Sequence, residues 1–337
     1  MHLSSRGAPL ALLLSGMVCA LLSGCAVPAR LGEDGRKAIR NRTFVVTGAS
    51  SGFGRGVALR LASYGGNVVL ASRRPDVLDR LAVQLRAAGG TPLVVTTDVS
   101  KPEEVDRLAQ EAAARFGRID VWINDAGVAA IGRLDQIPLK DQARVIDVNL
   151  KGVLYGSYAA LRQFRKQGYG TLVNIASVEG KVPLAYQAAY SASKHGVVGL
   201  DGALNEELRL DKQHSIHVVT VEPWAADTPL WEHAANYSGH RPHMALMDGP
   251  WDVVDAIVWA CVHPVGEMPV GWKAEAAVIS HQIMPDLTNA IAGYVEQKSQ
   301  IESALPAQST PGNLFEPMPL GTTVEGGTRR RMGAEGQ

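Results

Sequence analysis

Short apolar runs alternate along the middle of the chain with longer stretches in which apolar positions recur every three or four residues. The short runs are Thr43–Thr47, Asn67–Ala71, Pro92–Thr96, Val121–Asn124, Gly170–Ile175 and His217–Val221. Each is bounded by turn residues and predicts a strand covered on both faces. A further run, Ala276–Ser280, predicts a seventh. The helical period between the runs predicts helices such as Pro75–Ala88 and Pro102–Phe116, the second with Ser100 as its cap and Glu103 and Glu104 in its first turn. Strand and helix alternate from about Ala38, so the expected fold class is α/β, a doubly wound parallel sheet. No internal repeat is present.

The ends of the chain break this pattern. Arg6 precedes a mostly apolar stretch from Ala8 to Val27 that ends in Leu22-Ser23-Gly24-Cys25. A basic start, an apolar centre and small residues describe a secretory signal, and the last four residues resemble the bacterial lipoprotein box, in which the cysteine is lipidated. Residues 1–37 therefore read as a signal, lipoprotein-like or membrane-anchor segment with a linker, and the protein as a membrane-associated bacterial one. A lipidated Cys25 would place the remainder in the periplasm. An uncleaved anchor would leave it in the cytoplasm, the side favoured by Arg30, Arg36, Lys37, Arg40 and Arg42. A misassigned start upstream of an ordinary soluble protein is the third reading. At the other end, residues 286–337 read as a C-terminal helix and an irregular or disordered tail with proline and glycine from about Ser303, whose basic triplet Arg329-Arg330-Arg331 reads as a solvated end.

Composition limits the function classes. With 337 residues, 46% of them hydrophobic, the chain can bury a large core, and residues 38–285 suffice for one domain. The 33 basic and 33 acidic side chains balance, so no overall charge argues for nucleic acid as a partner. Cys19, Cys25 and Cys261 make neither a disulfide framework nor a metal-ligand spacing, and no metal is expected.

Thr47-Gly48-Ala49-Ser50-Ser51-Gly52-Phe53-Gly54 lies between the first strand and a helix that begins near Val57. In that setting one glycine permits the sharp turn, another lets the backbone approach a pyrophosphate, and the third lets helix and strand pack closely. The helix N-terminus favours the phosphates. At the end of the second strand stand Arg73 and Arg74, with no carboxylate until Asp76. An arginine at this place accommodates a ribose 2′-phosphate, so NADP(H) is expected over NAD(H). After the third strand, Asp98-Val99 either offers a carboxylate to an adenine amino group or simply forms a turn.

Tyr190 and Lys194 lie four apart on a helix, on one face. A phenol titrates near 10, and a nearby cation favours its ionised form, which suits a general acid or base acting on a carbonyl or alcohol. Ser177 follows the strand Gly170–Ile175, at the carboxyl end where such sheets place ligands, and its hydroxyl can hold a substrate oxygen. Asn149 is a polar amide on an apolar helix, and it either holds a water next to Lys194 or bonds a backbone carbonyl.

Together these residues resemble the short-chain dehydrogenase/reductase family. Thr47–Gly54 is similar to its glycine motif, Asn124–Gly127 to its Asn-Asn-Ala-Gly motif, and Asn149, Ser177, Tyr190 and Lys194 to its catalytic tetrad. The resemblance spans roughly residues 40 to 285. It implies a single Rossmann-type catalytic domain, paired as a homodimer or homotetramer through the helices around Ala143–Gln167 and Ala188–Arg209. It also implies a cofactor held by Gly48, Ser50, Ser51, Gly52, Phe53, Gly54, Asn124, Ala126, Gly127 and Pro223, with Thr228 at the carboxamide. Lys194 would bond the ribose and lower the Tyr190 pKa.

Two positions depart from the family pattern. Asp125 replaces an asparagine, and an ionised carboxylate there needs donors or a raised pKa. Glu222-Pro223-Trp224 stands where the family has Pro-Gly, so that Trp224 either lines a substrate pocket or distorts the loop. The expected protein is an NADP(H)-dependent oxidoreductase acting on a small carbonyl or alcohol compound. A non-catalytic NADP(H)-binding sensor or scaffold is the alternative.

Overall fold

In the computed structural model, which describes residues 30–335, the short apolar runs come together as one parallel sheet. Its strands are β1 (Thr43–Thr47), β2 (Asn67–Ser72), β3 (Thr91–Thr96), β4 (Val121–Asn124), β5 (Gly170–Ile175), β6 (Ile216–Pro223) and β7 (Glu267–Val270), in the spatial order β3-β2-β1-β4-β5-β6-β7. Every residue of β1, β4 and β5 is buried, which is why these runs lack polar alternation. Val45 pairs with Val69 on one side and with Trp122 on the other.

Alternate side chains of each strand serve opposite faces. Phe44, Val46, Val68 and Leu70 pack beneath α1 (Gly52–Ser63) and α2 (Pro75–Ala87), joined there by α7 (Trp251–Ala260). Val45, Val69 and Trp122 face α3 (Pro102–Phe116), α5 (Gly152–Gln167) and α6 (Ala188–Leu210). This is the doubly wound arrangement expected of the alternating pattern, in a single domain. β1 and β4 are neighbours although β2 and β3 intervene in sequence, so the strand order reverses there and a crevice opens beyond their carboxyl ends.

Some expectations differ from the structure. The seventh strand is Glu267–Val270, while Ala276–Ser280 lies within α8 (Trp272–Ile283). A short apolar run does not distinguish a strand from a helix segment, and an edge strand tolerates Pro269. Ser100 does not cap α3, whose N-cap is Lys101; its hydroxyl turns back to Asp98 Oδ1 at 2.8 Å. The helix through Asn149 runs from α4 (Leu139–Ile146) into α5 by way of a π-helical turn, Asp147–Lys151.

The largest difference is at the C-terminus. After α9 (Pro285–Glu296) and a second π-helical turn, Gln297–Ser303, the chain is irregular but fastened along its length. Asn236 and Thr310 exchange both backbone bonds, Leu314 is fully buried, and the Thr328 amide donates to Asp227 Oδ1 at 2.8 Å. The segment is a strap, not a loose tail. The apolar stretch expected to be a signal, residues 8–27 with Cys25, lies outside the described residues, among which no helix is long and apolar enough to cross a membrane.

Candidate active site

The glycine turn is pressed against the loop that follows β4. Gly48 has φ of +71°, and a Cβ there would lie 2.9 Å from the backbone of Ala126, so a side chain is excluded twice over. Thr47 Oγ1 secures the contact by accepting the Asp125 and Ala126 amides at 3.1 and 3.2 Å. The Gly54 amide donates to Asp125 Oδ2 at 2.7 Å. Burial raises the Asp125 pKa to about 8, against the Gly54 bond and the attraction of Lys194. The departure at Asp125 is thus met in both ways the sequence demands, by a donor and by a raised pKa.

A cavity of about 550 Å³ runs from this turn to Ser177, Tyr190 and Lys194. Gly48, Ser50, Ser51, Gly52 and Phe53 line one end, with Arg73, Asp98 and Val99 beside them, and Ala126, Gly127, Pro223 and Thr228 line its middle. Three expected residues stand off it. The Gly54 amide is taken by Asp125. Asn124 is buried in a structural network, accepting from Trp122 Nε1 and donating to Asn174 Oδ1, each at 2.8 Å. Asn149 also lies behind the wall, where its amide clamps the backbone N–H and C=O of Val128 at 2.8 and 2.9 Å. Of its two anticipated roles, the structure gives the backbone one.

The strap roofs the turn end of the cavity, with Asn313, Pro317 and Met318 among the lining residues. Arg73 donates to the carbonyls of Asn313, Leu314 and Phe315 at 2.6, 3.2 and 2.9 Å. Arg74 binds Ser50 Oγ through two nitrogens, at 3.1 and 2.9 Å, and the Leu320 carbonyl at 3.0 Å. The Gly52 amide, at the start of α1, donates to the Thr323 carbonyl at 2.9 Å. Asp98 accepts from Ser100 and, at 2.8 Å, from Arg144. Burial works to raise the Asp98 pKa, but these bonds outweigh it and hold the carboxylate below its usual range. Sequence reasoning missed the strap because its bonds come from carbonyls, which any residue supplies.

At the other end, Ser177, Tyr190 and Lys194 face the cavity together. Ser177 caps the turn Val178–Gly180 by accepting the Glu179 amide at 3.1 Å, and it hydrogen-bonds the Tyr190 phenol. Lys194 Nζ lies 5.5 Å from the Tyr190 ring centroid and donates to the Ile175 carbonyl at 2.6 Å. Burial pushes the Tyr190 phenol upward; Glu179 and Asp125 add to the rise and the Ser177 bond opposes it. The lowering expected from Lys194 is not found: the phenol shifts the other way, under desolvation and two carboxyl groups. Burial also draws Lys194 itself down to about 8, although Asp125 and Glu179 favour its cation.

Trp224 follows β6, whose pairing with β7 is regular to Pro223 and Val270, and its indole N–H donates to the Leu246 carbonyl at 3.1 Å. It forms a wall of the cavity and does not disrupt the strand. Two further acids line this end, Glu179 and Glu296, neither of which the sequence had singled out. Among the described residues no cluster of His, Cys, Asp and Glu could hold a metal ion.

A dinucleotide-type crevice joined to a Ser, Tyr and Lys site is the arrangement of a nicotinamide-dependent oxidoreductase. Residues 42–237 match the short chain dehydrogenase family, and the chain belongs to it. An uncharacterised oxidoreductase of Bacillus subtilis is 32% identical over 267 residues, 78% of this chain and 75% of its own length. An uncharacterised oxidoreductase of Staphylococcus aureus is 35% identical over 226 residues, 67% of this chain and 93% of its own. The crystal structure of a short-chain type dehydrogenase/reductase from Mycobacterium marinum is similar, with a TM-score of 0.59 and 27% identity, covering 69% of this chain and 94% of that one. The family binds NAD(H) or NADP(H), and the cradle at Gly48 and Gly52 beneath a continuous cavity fits such a group.

Proposed function

We propose that the protein is an NADP(H)-dependent oxidoreductase that interconverts a carbonyl compound and its alcohol. The observation that carries this reading is the shared cavity. Ser177, Tyr190 and Lys194 face the same space as the glycine turn and the β2 arginines. When bound, the nicotinamide supplies or accepts the hydride. Tyr190 delivers the proton to the carbonyl oxygen, or removes it from the alcohol in reverse. A neutral phenol is the right form for reduction, and burial favours it. Ser177 offers its hydroxyl to the same oxygen and stabilises charge that develops there. Lys194 keeps a positive charge beside the phenol, and Asn149 fixes the backbone at Val128 behind them.

NADP(H) is favoured because β2 ends in two guanidiniums and no carboxylate. A charged 2′-phosphate makes stronger bonds to them than neutral strap carbonyls do. The reading also includes a membrane tether through the N-terminus and a homodimer or homotetramer built on α5 and α6. The test is a fluorescence titration with NADPH and NADH, followed by a screen of ketones for NADPH oxidation. Tighter binding of NADPH, with turnover of at least one ketone, is the expected result. Preference for NADH would overturn the cofactor assignment. Binding without any turnover would favour a non-catalytic sensor.

A further inference from the structure

Glu296, at the end of α9, is 3% exposed and lines the cavity, and its Oε1 has no hydrogen-bond partner among the described residues. Gln187 serves the side chain with one hydrogen bond. Glu179 is 4% exposed and lines the same end, and its Oε2 accepts from Ser191 Oγ at 2.7 Å. Burying a carboxylate without a full set of partners is costly, so such groups are paired or stay protonated. The chain supplies little pairing here. Arg73 and Arg74, the guanidiniums that line the cavity, are held at its far end by Ser50 and the strap. Lys194 attracts Glu179 but directs its ammonium to the Ile175 carbonyl.

Apart from Ser280 and Thr288, which hydrogen-bond each other, the rest of this end is largely apolar and aromatic. Trp224, Trp231, Leu184 and Met244 line it. Both indole N–H groups are already bonded to backbone carbonyls, of Leu246 and Ala226, which fixes the rings. Held indole rings attract cations and pack against hydrocarbon. A largely apolar chamber with two buried carboxyl groups, one of them with an unpartnered oxygen, selects a lipophilic ligand that brings its own positive charge.

We propose that the substrate is an apolar amino ketone or amino alcohol, whose protonated amine is received by Glu296 and Glu179 while its oxygen lies at Tyr190. This assignment rests on the oxidoreductase reading for the reacting oxygen but not for the amine subsite. Burial pushes Glu179 to about 8 and Glu296 to about 7; an ammonium entering the chamber favours their ionised forms, and a displaced proton leaves to solvent. A carboxylate-bearing substrate finds no free cation among the described residues at this end and gains no such pairing.

The test uses the full chain loaded with NADPH and a matched set of aryl ketones. These are 4-(aminomethyl)acetophenone and its 4-methyl, 4-hydroxymethyl and 4-carboxy counterparts. The amine is expected to exceed the neutral ketones in kcat/KM by at least about tenfold, mainly through KM, and the carboxylate to be the poorest. Glu296→Gln should lower the ratio of amine to methyl ketone about tenfold. Glu179→Gln is a second variant should the first fail to fold. Equal use of the amine and neutral ketones, or a ratio unchanged in both variants, overturns the proposal. Binding is read separately as quenching of tryptophan fluorescence by 4-(aminomethyl)acetophenone. Quenching lost in the variants, with no ketone reduced, would uphold the amine subsite and remove the oxidoreductase reading. Reduction of the methyl ketone without amine binding would do the reverse.

Discussion

The Gly54 amide and the Asp125 carboxylate are 2.7 Å apart, and a Cβ at residue 54 would lie equally close to that oxygen. The glycine and the acid therefore define each other. With its pKa raised by burial to about 8, Asp125 keeps its proton in the folded protein over a range in which it loses it when unfolded.

The sign of the pH effect follows. Below about pH 4 both states carry the proton, and the group does not bias folding. As pH rises towards about 8 the unfolded state gains by ionising, so stability falls across that window. Asp125→Asn removes this contribution. The loss of melting temperature between pH 5 and pH 8 should shrink in the variant, as read by circular dichroism. An undiminished loss would mean that Asp125 is ionised in the native state.

Tyr190→Phe keeps the ring and removes the proton. Turnover should fall by about 10²–10⁴, the usual contribution of a positioned acid or base. NADPH affinity should persist, because the glycine turn is untouched. Residual activity near that of the parent protein would assign proton transfer elsewhere.

Arg73 serves the strap and, on the proposed reading, the 2′-phosphate. Arg73→Ala should weaken NADPH binding roughly ten- to a hundredfold, the range for a hydrogen bond to a charged group, and NADH binding much less. Equal weakening of both cofactors would mean that the strap, and not the phosphate, was lost.

Leu314 is the most deeply buried apolar residue of the strap, which Val324 also ties to the core. Leu314→Ala should cost about 2–5 kcal/mol if it is felt by the whole fold, and less if the strap opens alone. Local opening predicts faster amide exchange over residues 310–323 and faster release of NADPH in stopped flow, with the sheet's protection intact. Uniform loss of protection would show that strap and sheet unfold as one.

The sheet was legible because strands buried on both faces leave continuous apolar runs, and part of the cavity lining because Gly48, Tyr190 and Lys194 carry residue-specific demands. β7 was misplaced because Met268 and Val270 are its only buried side chains, whereas the more apolar Ala276–Ser280 belongs to a helix. Asn124 and Asn149 were recognised as special, yet their amides hold the backbone and other side chains and do not face the cavity. Glu179 and Glu296 gave no signal, since nothing in one sequence reports that two acids 117 positions apart (179 and 296) will line one chamber.

The roof over the glycine turn has a consequence for biosynthesis. Gly52 precedes its partner Thr323 by 271 positions (52 and 323). The turn end of the cavity therefore closes only after Thr323 has been made, later than every strand of the sheet. A chain cut before Asn313 would leave Arg73 with none of its three carbonyl partners, so loss of the strap is felt at the glycine turn.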